Sequence, residues 1–193
     1  GYLGAGVIEE GIELRKNGIK GPVLILGGIF PDEVADLVHH NLSTMLYTSH
    51  LAEALSKEGE KQGKTINIHI KVDTGMNRLG VLPENLSALT EKICSLPNLK
   101  IEALSTHFSS ADDENLSITN QQIELFKQAL NKLKNAGIIP PLTHLANTSA
   151  LFRFPESHSK MVRPGLILYG ALPSPILNPV VQNFCQNENL ENF

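Results

Sequence analysis

His69-Ile70-Lys71-Val72-Asp73-Thr74-Gly75-Met76-Asn77-Arg78-Leu79-Gly80 opens as a β-branched apolar run and closes as a glycine-punctuated loop. Between the two ends stand a lysine, an aspartate and an arginine. A buried strand that delivers charge into a loop is where α/β proteins place their chemistry. Lys71 and Arg78 are both cationic and close in sequence. If the loop folds back, an anion must sit between them, because like charges repel and burial penalises both.

Outward from this stretch the chain alternates strands and helices. Upstream, Tyr2 to Val7, Pro22 to Gly27 and Ser43 to Thr48 read as strands. The helices between them are Glu9 to Asn17, closed by Gly18, then one opened by Pro31 with Val34, Leu37 and Val38 as its stripe. A third is capped by Ser49 and carries Leu51, Ala54 and Leu55. Ile66 to Asp73 is the strand of the opening stretch. Downstream, Pro83 starts a helix with Leu86, Leu89 and Ile93 on one face, and Leu99 to Phe108 is a strand. Thr119 and Gln122 suggest a capping box for a helix with Ile123, Phe126, Leu130 and Leu133 buried, ending at Gly137. Leu142 to Asn147 is a strand followed by a short helix, and Val162 to Gly170 is the last strand.

Seven strands with helices between them imply a parallel sheet, covered on both faces or closed into a barrel. The pattern fits a (β/α)₈ TIM-type barrel lacking its first βα unit, with seven parallel strands inside and helices outside. An open doubly wound sheet competes, but its Gly-x-Gly-x-x-Gly turn is absent, since Gly1, Gly4 and Gly6 are wrongly spaced. Residues 1–175 form this unit. Residues 176–193, rich in asparagine from Asn178 on and without periodicity, read as a tail or the start of a further domain. The chain opens on Gly1 without an initiator methionine, which suggests a fragment.

The 193 residues suffice for one domain with a real core, and 41% hydrophobic with 19% charged residues is a globular balance. A net charge of −4 gives nucleic-acid binding no electrostatic support. No apolar run approaches membrane-helix length, so no membrane role is expected. Cys94 and Cys185 show no metal-ligand spacing, which favours a reduced, cytoplasmic protein.

In a barrel, catalytic groups project from the C-terminal ends of strands. Those ends hold Lys71 with Asp73, His107, His144 with Asn147, and Arg163 with Tyr169. Arg163-Pro164-Gly165-Leu166 has a glycine that lets backbone N–H groups approach an anion, and Asn147-Thr148-Ser149 opens a short helix with hydroxyls. Both belong to the last two strands, where such barrels bind phosphate. Plainer readings stand beside these. On pattern alone Lys71 reads as a solvated strand-end lysine, Arg163 equally as a rim ion pair, and His107 and His144 as ordinary core or rim histidines. Asp73 is read as holding its loop by backbone bonding, Arg15 as a solvated helix charge, and Tyr169 as either packing or phosphate-binding.

Taken together, Glu9-Glu10-Gly11 with Leu14-Arg15, His69 to Gly80, Thr106-His107-Phe108, Ala111-Asp112, His144 to Asn147, and Met161 to Gly165 with Leu168-Tyr169-Gly170 resemble the barrel domain of bacterial alanine racemase. The resemblance covers roughly residues 1–175. It implies pyridoxal 5′-phosphate as cofactor, interconversion of L- and D-alanine for peptidoglycan, and a homodimer. It places Lys71 at a lysine often carbamylated in the family, which supplies the missing anion. Arg78 falls on the arginine that contacts the substrate carboxylate. His107 lies beside the cofactor ring, and Arg163 bonds the pyridine nitrogen. Asn147, Thr148, Gly165, Leu166 and Tyr169 fall on phosphate-binding positions, with Thr148 keeping the hydroxyl of the family's usual serine. The two proton-transfer bases, a Schiff-base lysine and an opposing tyrosine, are expected outside residues 1–193, so this chain alone is expected to be inactive. Alternatives are a non-catalytic cofactor-binding barrel of the homeostasis type, not expected to carry the Lys71–Arg78 spacing, and a decarboxylase or aldolase, which would place an acid where Arg163 stands. A racemase of broader amino-acid specificity is a further alternative.

Overall fold

Each strand of the sheet pairs in parallel with the next one in sequence. The computed structural model describes residues 1–187. The strands are β1 Leu3–Ala5, β2 Val23–Ile25, β3 Ser43–Leu46, β4 Ile66–Lys71, β5 Leu99–Ser105 and β6 Leu142–His144. Their order is β1-β2-β3-β4-β5-β6. The helices are α1 Ile8–Lys16, α2 Val34–His39, α3 Ser49–Gln62, α4 Leu86–Cys94, α5 Ser117–Asn135, α6 Thr148–Arg153 and α7 Asn178–Asn187. Strands in chain order with right-handed crossovers put every helix on one face, so the sheet curls into part of a barrel.

β4 shows how sequence sets the two faces. Successive side chains alternate, so Ile66, Ile68 and Ile70 point to the helices while His69 and Lys71 point to the barrel interior. The three isoleucines pair in register with Leu99, Ile101 and Leu104. They join a core with Leu55, Leu86, Ile93, Ile123 and Phe126. Each fully buried side chain there contributes about 1.5–3 kcal/mol of transfer free energy. The ladder continues inward as Lys71 beside Ser105 and Ser105 beside His144.

Several expectations are corrected. Val162 to Gly170 is not a strand. A single bridge pairs Met161 with His144, and Leu166–Tyr169 is a 3₁₀ turn closed by Gly170 at φ 72°. Pro164 and Gly165 interrupt any ladder there, so six strands stand where seven were read. The cap of α3 is Thr48, whose hydroxyl accepts from the Leu51 N–H, and not Ser49. Thr119 and Gln122 lie inside α5, both buried, rather than capping it. The helices after Pro31 and Pro83 begin at Val34 and Leu86, because each proline opens a non-helical turn first. Asn178–Asn187 forms α7, although the sequence there reads as aperiodic. Val181 and Cys185 form its buried side and cluster with Leu177 just ahead of it, and Phe184 meets Phe152 of α6 edge-on at 5.6 Å. The rest of that stretch, residues 188–193, lies outside the described residues.

Arg15 is not merely solvated. Its guanidinium donates to the carbonyls of Ile19, Gly21, His40 and Asn41 at 2.7–2.9 Å, tying the ends of α1 and α2 together. Among the described residues, no helix is long and apolar enough to cross a membrane.

Candidate active site

Four adjoining segments converge at the C-terminal ends of β4, β5 and β6. The loop after β4 folds back on its own strand. The Asp73 N–H donates to the Val81 carbonyl and the Val81 N–H to the Lys71 carbonyl, both at 2.9 Å. The closure needs Gly80, because its φ is 140° and a Cβ there would lie 2.7 Å from the Asp73 nitrogen. One carboxylate oxygen of Asp73 accepts from the N–H groups of Gly75, Met76 and Asn77 at 2.9, 2.9 and 3.1 Å. Asp73 therefore builds the loop, as read from sequence, and the loop presents Arg78 to solvent.

Lys71 is 5% exposed and has no hydrogen bond or ion pair among the described residues. Burial, then the charges of Arg78 and Arg163, push its ammonium down to about 8. The repulsion inferred from sequence is thus present, with a second arginine taking part.

Arg163 is the hub. Its backbone N–H donates to the Ala146 carbonyl at 2.9 Å. Its Nη2 donates to the carbonyls of Thr106 at 2.7 Å and Leu145 at 3.0 Å, and faces His107 Nδ1 at 3.4 Å. Its Nη1 donates to His144 Nδ1. Every one of these acceptors is neutral, so among the described residues the charge has no carboxylate in contact. Burial pulls the guanidinium down to about 10, still protonated at neutral pH. Burial and the Arg163 charge hold His107 down at about 4 and push His144 far below the ordinary histidine range. Both rings are neutral at pH 7.

Asn147 caps α6, its side chain accepting from the Ala150 N–H at 3.0 Å. The Thr148 hydroxyl accepts from the Gly165 N–H at 3.0 Å and keeps its own proton to donate. Nothing but that hydroxyl, at 3.9 Å, approaches the space where a Gly165 side chain would be. Lys71 and Arg163 at neighbouring strand ends, Arg78 on the loop, an open backbone turn and a donating hydroxyl are the chemistry that a small anionic molecule would need.

A sequence family described as "Alanine racemase, N-terminal domain" matches residues 1–173. The chain belongs to the alanine racemase family. The alanine racemase of Carboxydothermus hydrogenoformans is 44% identical over 168 residues, 87% of this chain and 45% of that protein. That of Methanococcus maripaludis is 41% identical over 170 residues, 88% and 46%. An alanine racemase from Clostridium difficile 630, solved in complex with cycloserine, is similar with a TM-score of 0.88 at 32% identity, over 91% of this chain and 48% of that one. The chain spans about half the length of these alanine racemases.

Of the residues expected to form the site in this alanine racemase family member, Lys71, His107, Asn147, Thr148, Arg163 and Gly165 line adjoining strand ends. Arg78 stands exposed on the loop after β4. Leu166 and Tyr169 lie on the 3₁₀ turn, 50% and 87% exposed, with no side-chain hydrogen bond to the others among the described residues. The sequence reading misses one contributor. Gln122 reaches from α5 to the site, where it accepts from the Ser109 N–H and donates to the His107 carbonyl and Thr74 hydroxyl. A polar residue amid the apolar stripe of α5 was the available signal. His144, expected at a strand end as a core or rim histidine, is fully buried and bonds His69.

Proposed function

We propose that this chain is the cofactor-holding barrel of a pyridoxal 5′-phosphate-dependent alanine racemase, an isomerase that interconverts L- and D-alanine and supplies D-alanine for peptidoglycan. The observation that carries the reading is Arg163, a permanent cation held by neutral acceptors at the strand ends, within a chain that belongs to the family.

When bound, the cofactor supplies an electron sink for the electron pair left as alanine loses its α-proton. The residues fit such a group on two counts. Among the described residues, Lys71, Arg78 and Arg163 leave local positive charge without a paired carboxylate, which suits a phosphate and a phenolate. The Thr148 hydroxyl and the uncrowded turn at Gly165 suit close approach by phosphate oxygens, with Asn147, Leu166 and Tyr169 around them. Arg163 would face the pyridine nitrogen. A guanidinium keeps its proton, so it donates a hydrogen bond and leaves that nitrogen unprotonated, which limits the strength of the sink and disfavours side reactions. His107, neutral at pH 7, offers a ring edge without adding charge.

Arg78, exposed on a loop braced by Asp73, would meet the substrate carboxylate. Lys71 would become a carbamate and turn from a repelling cation into an anion that orients Arg78. None of these residues is assigned the role of proton-transfer base. The two bases, and the partner subunit of a homodimer, are proposed to come from outside residues 1–193, so that the chain alone binds without racemising. Two unpaired cysteines, Cys94 exposed and Cys185 buried, fit the cytoplasmic reading.

Calorimetric titration with pyridoxal 5′-phosphate tests this. The unaltered chain is expected to bind it, and Arg163→Ala and Thr148→Val each to weaken binding at least about tenfold, the ~1.4 kcal/mol of a hydrogen bond to a charged group. Equal affinity in folded variants, or no binding by the unaltered chain, would overturn the reading. Formation of D-alanine from L-alanine by residues 1–193 alone would overturn the placement of the bases.

A further inference from the structure

β5 carries one residue more than its partner. Ile68 pairs with Ile101, but His69 pairs with Ala103, so Glu102 is an inserted bulge. Bulges are rare between parallel strands and re-aim a side chain. Here the carboxylate of Glu102 reaches His69 Nε2 at 3.3 Å. His69 Nδ1 lies 2.9 Å from His144 Nε2, and His144 Nδ1 receives the Arg163 Nη1–H. His69 and His144 are both 0% exposed, so both rings lie away from bulk solvent.

We propose that Glu102 is a positioning residue for Arg163, acting through His69 and His144 as a one-way chain of hydrogen bonds. The order of protons follows from the two ends. A carboxylate only accepts, so His69 Nε2 carries a proton and its Nδ1 is a lone pair. That lone pair accepts from His144 Nε2–H, which leaves His144 Nδ1 as a lone pair for the guanidinium. Glu102 and Arg163 thus specify the same tautomer for both rings. Each ring bears one proton, in keeping with the depression of both histidines by burial. The carboxylate is the nearest counter-charge the hydrogen-bond chain offers Arg163, two rings removed, so it orients the guanidinium without forming an ion pair that would occupy its face. Without Glu102, the buried His69 Nε2–H loses its one acceptor among the described residues. Moving that proton to Nδ1 sets two donors against each other at His144, or, if that ring follows, at Arg163. The consequence for chemistry rests on the cofactor reading above; the order of the protons does not.

The test is a long-range ¹H–¹⁵N correlation spectrum of the chain labelled with ¹⁵N-histidine, without cofactor, the two signals assigned with His69→Gln and His144→Gln. Both rings are expected neutral with the proton on Nε2. Glu102→Gln, whose amide oxygen still accepts, should keep this order and the slow solvent exchange of the His144 Nε2 proton. Glu102→Leu should speed that exchange at least tenfold. A proton on Nδ1 of either ring, or a doubly protonated ring, in the unaltered chain would overturn the proposal even if the leucine variant fails to fold. So would unchanged exchange in a folded leucine variant, or a glutamine variant as fast as the leucine one. Failure to bind pyridoxal 5′-phosphate would instead count against the cofactor reading alone.

Discussion

Replacing the Lys71 ammonium by a carbamate should be measurable in the protein itself. The depression of Lys71 from 10.5 to about 8 raises the fraction of neutral amine at neutral pH about 300-fold. Only that form reacts: Nζ attacks the carbon of carbon dioxide, an N–C bond forms, and Nζ gives up a proton to leave an anionic carbamate. The same shift is a stability statement. The folded pKa lies below the unfolded one, so below about pH 8 the full penalty of a buried cation applies, and it is relieved as pH rises from about 8 to 10.5. The penalty is about 3 kcal/mol. Carbamate formation removes it, which for a domain of this size corresponds to a rise in Tm of roughly 6–12 °C. Thermal denaturation at pH 8 with and without bicarbonate, alongside ¹³C NMR in ¹³C-bicarbonate, would read both effects. Lys71→Met should lack the carbamate resonance and be indifferent to bicarbonate. A bicarbonate-independent Tm in the unaltered chain, or an identical resonance in Lys71→Met, would refute the reasoning.

Acid should destabilise the fold before the carboxylates titrate. His107 is held at about 4 while unfolded histidine titrates near 6.5, so the unfolded state binds the extra proton and stability falls by about 3 kcal/mol between those pH values; urea denaturation at pH 7 and 4.5 would show it, and equal midpoints would count against it. His69 and His144 act in the same direction. Asp73→Ala removes an acceptor of three N–H bonds and should lower stability by about 2–4 kcal/mol, while Asp73→Asn, which keeps an acceptor oxygen, should lose about half as much by the same assay. Arg15→Met should cost about 2–4 kcal/mol by losing four bonds to carbonyls, and Arg15→Lys should not restore it, because an ammonium cannot span four carbonyls on two helix ends.

The strand ends are legible because each apolar run stops at a charged or aromatic polar group, which marks Lys71, His107, His144 and Arg163 for one end of the sheet from the sequence alone. Asp73 was legible for the same kind of reason, as an aspartate just ahead of glycine favours capping its own loop. The last segment misled because Leu166-Ile167-Leu168-Tyr169 has a strand's composition, while Pro164 and Gly165 deny it a ladder. Thr119 and Gln122 have the spacing of a cap, yet their burial places them one turn inside the helix. The Glu102–His69 contact was not legible at all. A bulge arises from how two strands pair, and nothing in Leu99 to Ser105 alone marks which residue is the extra one.

That extra residue gives β5 an unusual tolerance. Loss of one residue from the middle of a strand ordinarily turns every later side chain to the opposite face. On β5 the pairs before the bulge, Leu99 with Ile66 and Ile101 with Ile68, and those after it, Ala103 with His69 and Leu104 with Ile70, would all survive the deletion of Glu102 with their faces unchanged. The ladder's count is complete without it. Strand length and strand phase are therefore uncoupled at this one position, so that a carboxylate can be gained or lost here without rewriting the sheet around it.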